Sequence, residues 1–283
     1  MMSINGDPDV VDGIEYWTTQ PASNDGVLGG YGSGSLPRID SLGSRLFLLD
    51  LYPDLSTVQS ARRSLTSSNP PTRTRALDVG AGIGRVTADV LLYLVSDVVL
   101  LEPVDPFVQE ALARARSSTI SADLSRGHSS WPGIADQTKS VTILQGTLQE
   151  FDPLAPHRVK FLDRVGHQPS RPADEIGAGF DVIWCQWCLG HLNDRDLVAF
   201  FRRSHNALRD KAGKSLIVVK ENICWDREDG TGESIFDEQD SSLTRSDLAW
   251  KDIFKQAGLK LVREKVQEGL PEGLYVVKMY GLR

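Results

Sequence analysis

From residue 75 onward, short apolar runs alternate with amphipathic stretches, the order produced when parallel strands are joined by crossover helices. The runs at 75–79, 97–101, 141–144, 180–184 and 215–220 are short and β-rich, as strands covered on both faces are. They predict the body of a parallel sheet. Between them, Asn193 is placed to cap a helix with Leu197, Phe200, Phe201 and Leu208 on one face. Thr244 with Asp247 predicts a capping box ahead of Leu248, Ile253 and Phe254, with Gly258 as the stop. Near the C-terminus, the runs at 260–266 and 273–281 flank a turn-rich segment and predict an antiparallel pair.

The chain before residue 75 reads differently. A glycine-rich stretch at 25–35 precedes an apolar-periodic helix from Leu42 to Leu51, which predicts a lid or cap over residues 1–65 on a core of residues 66–283. Segments 117–140 and 152–178 are rich in Ser, Pro, Gly and charge, show no period, and are predicted as surface insertions. No internal repeat or linker divides the core.

Composition narrows the class. The 283 residues are 40% hydrophobic and 24% charged, an ordinary folded composition. The N-terminus lacks a basic start followed by an apolar core, and no apolar run approaches the roughly 18 residues of a membrane span. Secretion and a membrane partner are therefore not expected. Three cysteines, Cys185, Cys188 and Cys224, make neither a disulfide framework nor paired zinc clusters, so a reducing intracellular compartment and no metal are expected. The CxxC of Cys185 and Cys188 ends a strand-like run and reads as two packed thiols. A net charge of −7 argues against a nucleic-acid partner. Its distribution says more: Asp226 to Asp240 holds seven acids and one base.

Ala76 to Arg85 reads ALDVGAGIGR, with glycines at 80, 82 and 84 after a strand and before a helix, where backbone can turn tightly and approach a ligand. Arg85 stands where a dinucleotide fingerprint needs its third glycine, which disfavours a nicotinamide enzyme. Glu102 ends the next strand, where a carboxylate can accept both hydroxyls of a ribose. Loop and acid together fit an adenosine-type cofactor. If the strands at 75–79 and 180–184 are central neighbours, Gln186, Trp187 and His191 face the glycine loop across the crevice, and Gln149 can reach an adenine edge from the side.

Through DVGAGIG and Glu102 the chain resembles the class I S-adenosylmethionine-dependent methyltransferases. Through Tyr16-Trp17, DGVLGGYG at 25–32, TLQEF at 147–151, FDVIWCQWCLGHL at 180–192, VVKEN at 218–222, DEQDSSLTR at 237–245, LPEGLY and the terminal GLR, it resembles the eukaryotic α-N-terminal protein methyltransferases. The resemblance implies an α/β, Rossmann-like, seven-stranded, mostly parallel sheet with helices on both faces and an N-terminal helical lid. It implies methylation of the N-terminal α-amine of proteins beginning Xaa-Pro-Lys or Xaa-Pro-Arg after methionine removal. By the same resemblance, Trp17, Gly80, Gly82, Arg85, Glu102, Leu148, Gln149 and Gln186 hold the cofactor. Leu28, Tyr31, Trp187, His191, Asn222, Asp237, Asp240, Leu274 and Tyr275 form the peptide channel. A cytoplasmic location is expected, with nuclear presence as an implication of the family. Glu102 departs from the family's aspartate, and both predicted insertions exceed the compact family pattern.

The chemistry suits these residue types. Methyl transfer from a sulfonium is an in-line displacement, so it needs alignment and an amine with a free lone pair. An α-amine titrates at about 7.7 to 8.0 against about 10.4 for lysine, so a modest base suffices. His191 and Asp240 are the candidates, acting together or through water. Asn222 can hold substrate backbone, Asp237 can attract a basic third residue, and Trp187, Tyr31 and Tyr275 can wall a slot around proline. Two other functions share these features: a small-molecule methyltransferase, and a non-catalytic binder of basic N-termini.

Overall fold

The computed structural model describes residues 6–58, 73–120, 130–169 and 178–283. The predicted boundary near residue 65 lies outside the described residues. The strands are β1 (Arg75–Val79), β2 (Asp97–Glu102), β3 (Ser140–Gln145), β4 (Lys160–Gly166), β5 (Val182–Gln186), β6 (Leu216–Ile223), β7 (Ser234–Asp237), β8 (Ser242–Arg245), β9 (Leu261–Val266) and β10 (Val276–Leu282). The helices are α1 (Val10–Thr19), α2 (Asn24–Val27), α3 (Leu36–Leu51), α4 (Leu92–Leu94), α5 (Asp105–Ser117), α6 (Asp194–Asn206) and α7 (Asp247–Ala257).

One sheet runs β4-β3-β2-β1-β5-β6-β10-β9, and β7-β8 form a separate hairpin. β3, β2, β1, β5 and β6 are mutually parallel, whereas β10 is antiparallel to both β6 and β9. Strand order reverses between β1 and β5, the place where open α/β sheets leave a ligand crevice. Successive strand residues face opposite layers, as a period of two requires. Leu77, Val79, Ile183 and Cys185 pack with Leu197, Phe200 and Phe201 of α6 and Trp250 and Phe254 of α7. Ala76, Val98, Val182 and Trp184 pack with Phe47 and Leu48 of α3 and Val108 and Leu112 of α5.

Several boundaries differ from expectation. The main sheet has eight strands, because Lys160–Gly166, inside the segment expected to be an insertion, pairs antiparallel with β3. Its alternation is weak because it is an edge strand whose Lys160 and Phe161 are exposed. The other expected insertion is not purely a surface feature either: Trp131 and Ile134 are buried, and a Cβ on Gly84 would lie 2.7 Å from the Trp131 ring. The strand expected at 180–184 is β5, two residues later, since Phe180 makes only an isolated bridge to Leu208. Ser246, not Thr244, caps α7 by accepting from the Ala249 amide, because Thr244 is paired in β8. Gly258, at a φ of 78°, ends α7 as expected.

Asn193 caps α6, its Oδ1 accepting from the Asp196 amide at 2.9 Å. Asn193→Ala is expected to cost about 1 kcal/mol and lower the Tm by roughly 2–4 °C, read by calorimetry. An unchanged Tm would show the cap to be dispensable. No helix among the described residues is long and apolar enough to cross a membrane.

Candidate active site

The crevice between β1 and β5 opens into a cleft enclosing about 990 Å³, including its solvent mouth. Its floor is the loop after β1. Gly80, Gly82 and Gly84 all have positive φ, and a Cβ on Gly80 would lie 2.4 Å from the Cys188 Cβ. The loop turns into a π-helical segment, Thr87–Leu91, that leads to α4.

Glu102, at the end of β2, ties this loop to the next. Its Oε2 accepts from the Gly82 amide at 2.7 Å and its Oε1 from the Val104 amide at 2.9 Å. Burial pushes the carboxyl up to about 7 against the pull of these two amides, with Asp78 raising it further. Asp78, also on the wall, is pushed by burial up to about 6 while accepting from Thr87 Oγ1 at 2.6 Å. Val104, Phe107, Leu148 and Val27 supply apolar wall. Glycines without side chains on the floor, a carboxylate at the β2 end and an apolar flank fit an adenosyl group.

Of the residues expected to hold the cofactor, Trp17, Gly80, Gly82, Arg85, Glu102, Leu148, Gln149 and Gln186 all line this cleft. Five of them, Trp17, Arg85, Glu102, Gln149 and Gln186, are also engaged with protein through their side chains. Arg85 Nη1 donates to Asp40 Oδ2 at 2.6 Å and Gln186 Nε2 donates to Asp40 Oδ1 at 2.8 Å. Gln149 Nε2 donates to the His191 carbonyl at 3.2 Å, which ties its carboxamide to the His191 loop. Trp17 reaches in from α1, its indole N–H donating to His191 Nε2 at 3.0 Å.

His191 lies on the opposite wall. Its Nδ1 is 3.3 Å from the Ser241 carbonyl, so the ring carries its proton on Nδ1 and accepts from Trp17 on Nε2. Burial lowers its pKa despite Asp240 and the Ser241 carbonyl, which keeps the ring neutral at pH 7. The α1 backbone comes close to it: a Cβ on Gly13 would lie 3.1 Å from Nδ1. Asp240 stands at the β7–β8 turn, and its buried Oδ1 has no hydrogen-bond partner among the described residues.

Trp187 joins Cys188 and His191 in the cleft wall at a φ of 55°, a strained backbone for a bulky residue. Glu221 holds this conformation: its Oε1 accepts from the Cys188 and Leu189 amides, each at 3.0 Å. Burial pushes Glu221 up to about 7. Ser241, also left-handed, accepts from the Asp9 amide on Oγ at 2.8 Å, joining the start of α1 to the His191 loop. Asp40 carries no motif signal in the sequence, and Glu221 and Ser241 lie inside the VVKEN and DEQDSSLTR motifs with no role that the motifs alone imply. The thiols of Cys185 and Cys188 are buried and pushed well above their usual range, which makes them inert packing groups.

The remaining channel residues lie away from the cleft wall. Leu28 is buried at the end of α2, Tyr31 and Tyr275 are exposed, and Leu274 is half-buried. Asn222 lies within β6, opposite Val277, rather than after it. Asp237 is exposed at the end of β7, in an acidic stretch that folds partly into the hairpin rather than a continuous loop.

Fold and cleft together define a class I S-adenosylmethionine-dependent methyltransferase. The sequence model of the family described as AdoMet dependent proline di-methyltransferase matches residues 7–283. An Arabidopsis thaliana alpha N-terminal protein methyltransferase 1 is 36% identical over 96% of this chain and 78% of its own length. Its Schizosaccharomyces pombe counterpart is 34% identical over 96% of this chain and 94% of its own. A solved Leishmania major S-adenosylmethionine-dependent methyltransferase, 30% identical, superposes with a TM-score of 0.65 over 96% of this chain and 82% of its own. The chain belongs to the α-N-terminal protein methyltransferase family.

Proposed function

We propose that this cleft binds S-adenosylmethionine and that Asp240 and His191 prepare the α-amine of an Xaa-Pro-Lys or Xaa-Pro-Arg N-terminus to receive its methyl group. A Xenopus tropicalis relative, 33% identical over 95% of this chain and 92% of its own, carries the name N-terminal Xaa-Pro-Lys N-methyltransferase 1. The observation that carries the assignment of roles is the buried, unpartnered Asp240 Oδ1 beside a neutral His191.

When bound, the cofactor supplies an electrophilic methyl on a sulfonium. Glu102 would accept the ribose hydroxyls, Gly80 and Gly82 would allow close backbone approach, and Arg85 would face the carboxylate. Leu148 and Phe107 would flank the base. Trp17 and Trp187 narrow the approach and exclude water. Asp240 accepts a hydrogen bond from the α-ammonium and takes its proton, directly or through water, and neutral His191 beside it provides a second acceptor once Trp17 gives way. Each further methylation requires the same proton removal again.

Asp237, exposed on the hairpin, would attract the basic third residue of the substrate. Replacing it with alanine should raise the peptide KM severalfold, flatten the salt dependence of KM, and leave cofactor affinity unchanged. Steady-state kinetics between low and high salt would show this; an unaltered KM at both would remove Asp237 from recognition.

The function is tested by mass spectrometry of a Ser-Pro-Lys peptide, free and N-acetylated, incubated with enzyme and S-adenosylmethionine. Methyl additions are expected on the free peptide alone. No addition to it, with cofactor binding demonstrated, would overturn the reading.

A further inference from the structure

Behind the cleft wall lies a buried ionic cluster whose anion, Asp40, and inner cation, Lys220, have no part in the chemistry above. On α3, Asp40 and Ser44 stand one turn apart on the face that also buries Leu36, Phe47 and Leu48. Asp40 is 0% exposed, and its carboxylate receives three donors from three other elements. They are Arg85 Nη1 at 2.6 Å, Gln186 Nε2 at 2.8 Å and Lys220 Nζ at 2.6 Å. Lys220, also 0% exposed, is satisfied further by Ser44 Oγ at 3.0 Å, Gln267 Oε1 at 2.9 Å and the Asp40 carbonyl at 3.2 Å. Gln267 reaches it across Gly43, where a Cβ would lie 2.1 Å from Gln267 Oε1. Gln186 is pinned from its other side, its Oε1 accepting from Trp184 Nε1 at 3.1 Å. Burial alone would push Asp40 up, but Arg85 and Lys220 outweigh it and hold the carboxyl below its usual range.

Stability does not account for such a cluster. Removing charges from water is costly, and replacing a buried ion pair by apolar residues of similar volume is often neutral or stabilising. The asymmetry of the cluster is informative: Lys220 is sealed on the inner side, whereas Arg85 and Gln186, the other two groups on Asp40, line the cofactor cleft. A free arginine side chain carries large rotamer entropy, and a ligand that must order it binds correspondingly more weakly.

We propose that Asp40 is a positioning residue for S-adenosylmethionine, holding the Arg85 guanidinium and the Gln186 carboxamide in place on the cleft wall, with Lys220 as the inner partner that fixes the carboxylate's orientation. This rests on the reading that the cofactor occupies this cleft against Arg85. It makes α3, which contributes no lining residue, a determinant of cofactor affinity.

The test compares S-adenosylmethionine Kd by titration calorimetry with Tm and with peptide KM at saturating cofactor. The double variant Asp40→Leu/Lys220→Met replaces the inner pair with apolar residues of similar size, so that no sealed lysine charge is left unpaired and the remaining cation, Arg85, keeps its access to the cleft. Its Tm should stay near that of the wild type while the cofactor Kd rises at least tenfold and the peptide KM is unchanged. A wild-type Kd in this variant overturns the proposal. Asp40→Asn, measured well below its own Tm, is the second arm: its Kd should rise at least fivefold, and a wild-type value again overturns the proposal. Glu102→Ala and Arg85→Ala separate the two levels. If both leave Kd unaltered, the cleft assignment itself fails; if both weaken binding and the Asp40 variants do not, only the positioning role fails.

Discussion

Asp240→Asn is expected to lower kcat for a Ser-Pro-Lys peptide by roughly 10²- to 10⁴-fold, the range of a positioned general base. The S-adenosylmethionine Kd should stay within about twofold, because Asp240 is outside the cofactor wall. A buried carboxylate oxygen without a partner is costly, and the cost is offset when an ammonium N–H reaches it. Asparagine keeps the shape but cannot take the proton. His191 cannot substitute fully, since its Nδ1 faces the Ser241 carbonyl and its Nε2 receives the Trp17 indole. The deficit should therefore shrink with rising pH, as more of the α-amine arrives already neutral above about 8. Rate profiles from pH 6.5 to 9.5 for both proteins would show this narrowing. A constant ratio across that range, or an unimpaired kcat, would assign the proton to another group.

The second large effect is on cofactor affinity. Glu102→Ala should raise the S-adenosylmethionine Kd by about 100-fold or more, since hydrogen bonds to a charged group contribute about 1.5–3 kcal/mol each and two ribose hydroxyls would lose their acceptor. The variant also frees the Gly82 and Val104 amides that the carboxylate ties together. A pH dependence accompanies this. Burial pushes Glu102 up to about 7, so before the cofactor binds the group is largely protonated below that pH. If ribose hydroxyls donate to the ionised form, binding should release a proton and affinity should fall as pH drops through about 7, approaching tenfold per unit at the limit. Glu102→Gln, which cannot ionise, should bind weakly and lose this slope. Titration at pH 6 and pH 8 decides: a wild-type Kd that ignores pH would mean the carboxylate is not the ribose acceptor.

Much of this architecture could be read from local pattern. The five central strands follow from short β-rich runs, and β1, β2 and β3 fall within a residue of their expected bounds because both faces are buried. β4 escaped because an edge strand need bury only part of one face, so its residues carry little periodicity. The cleft divides in the same way. The glycine loop, Glu102 and His191 announce themselves by spacing and motif, whereas Asp40 looks like an ordinary helix acid until Arg85, 45 residues away, is folded against it. The Trp17–His191 contact spans 174 residues. Glu221 is similarly hidden, since its partners are backbone amides of a loop more than 30 residues earlier.

The reversal of strand order at β1 and β5 also governs when the cleft can exist. β1 with β2, β3 with β4, and β9 with β10 are joined through short stretches of chain, and such neighbours close early. β1 meets β5 only after a much longer excursion: the Arg75 amide donates to the Asp181 carboxylate across 106 residues. The glycine loop therefore emerges from synthesis long before the strand that completes its crevice. A nascent chain that ends before β5 has half a cleft and lacks His191 as well. Cofactor capture would thus report on completion of the β1–β5 pairing, and added S-adenosylmethionine should favour the finished sheet over partly folded chains by mass action.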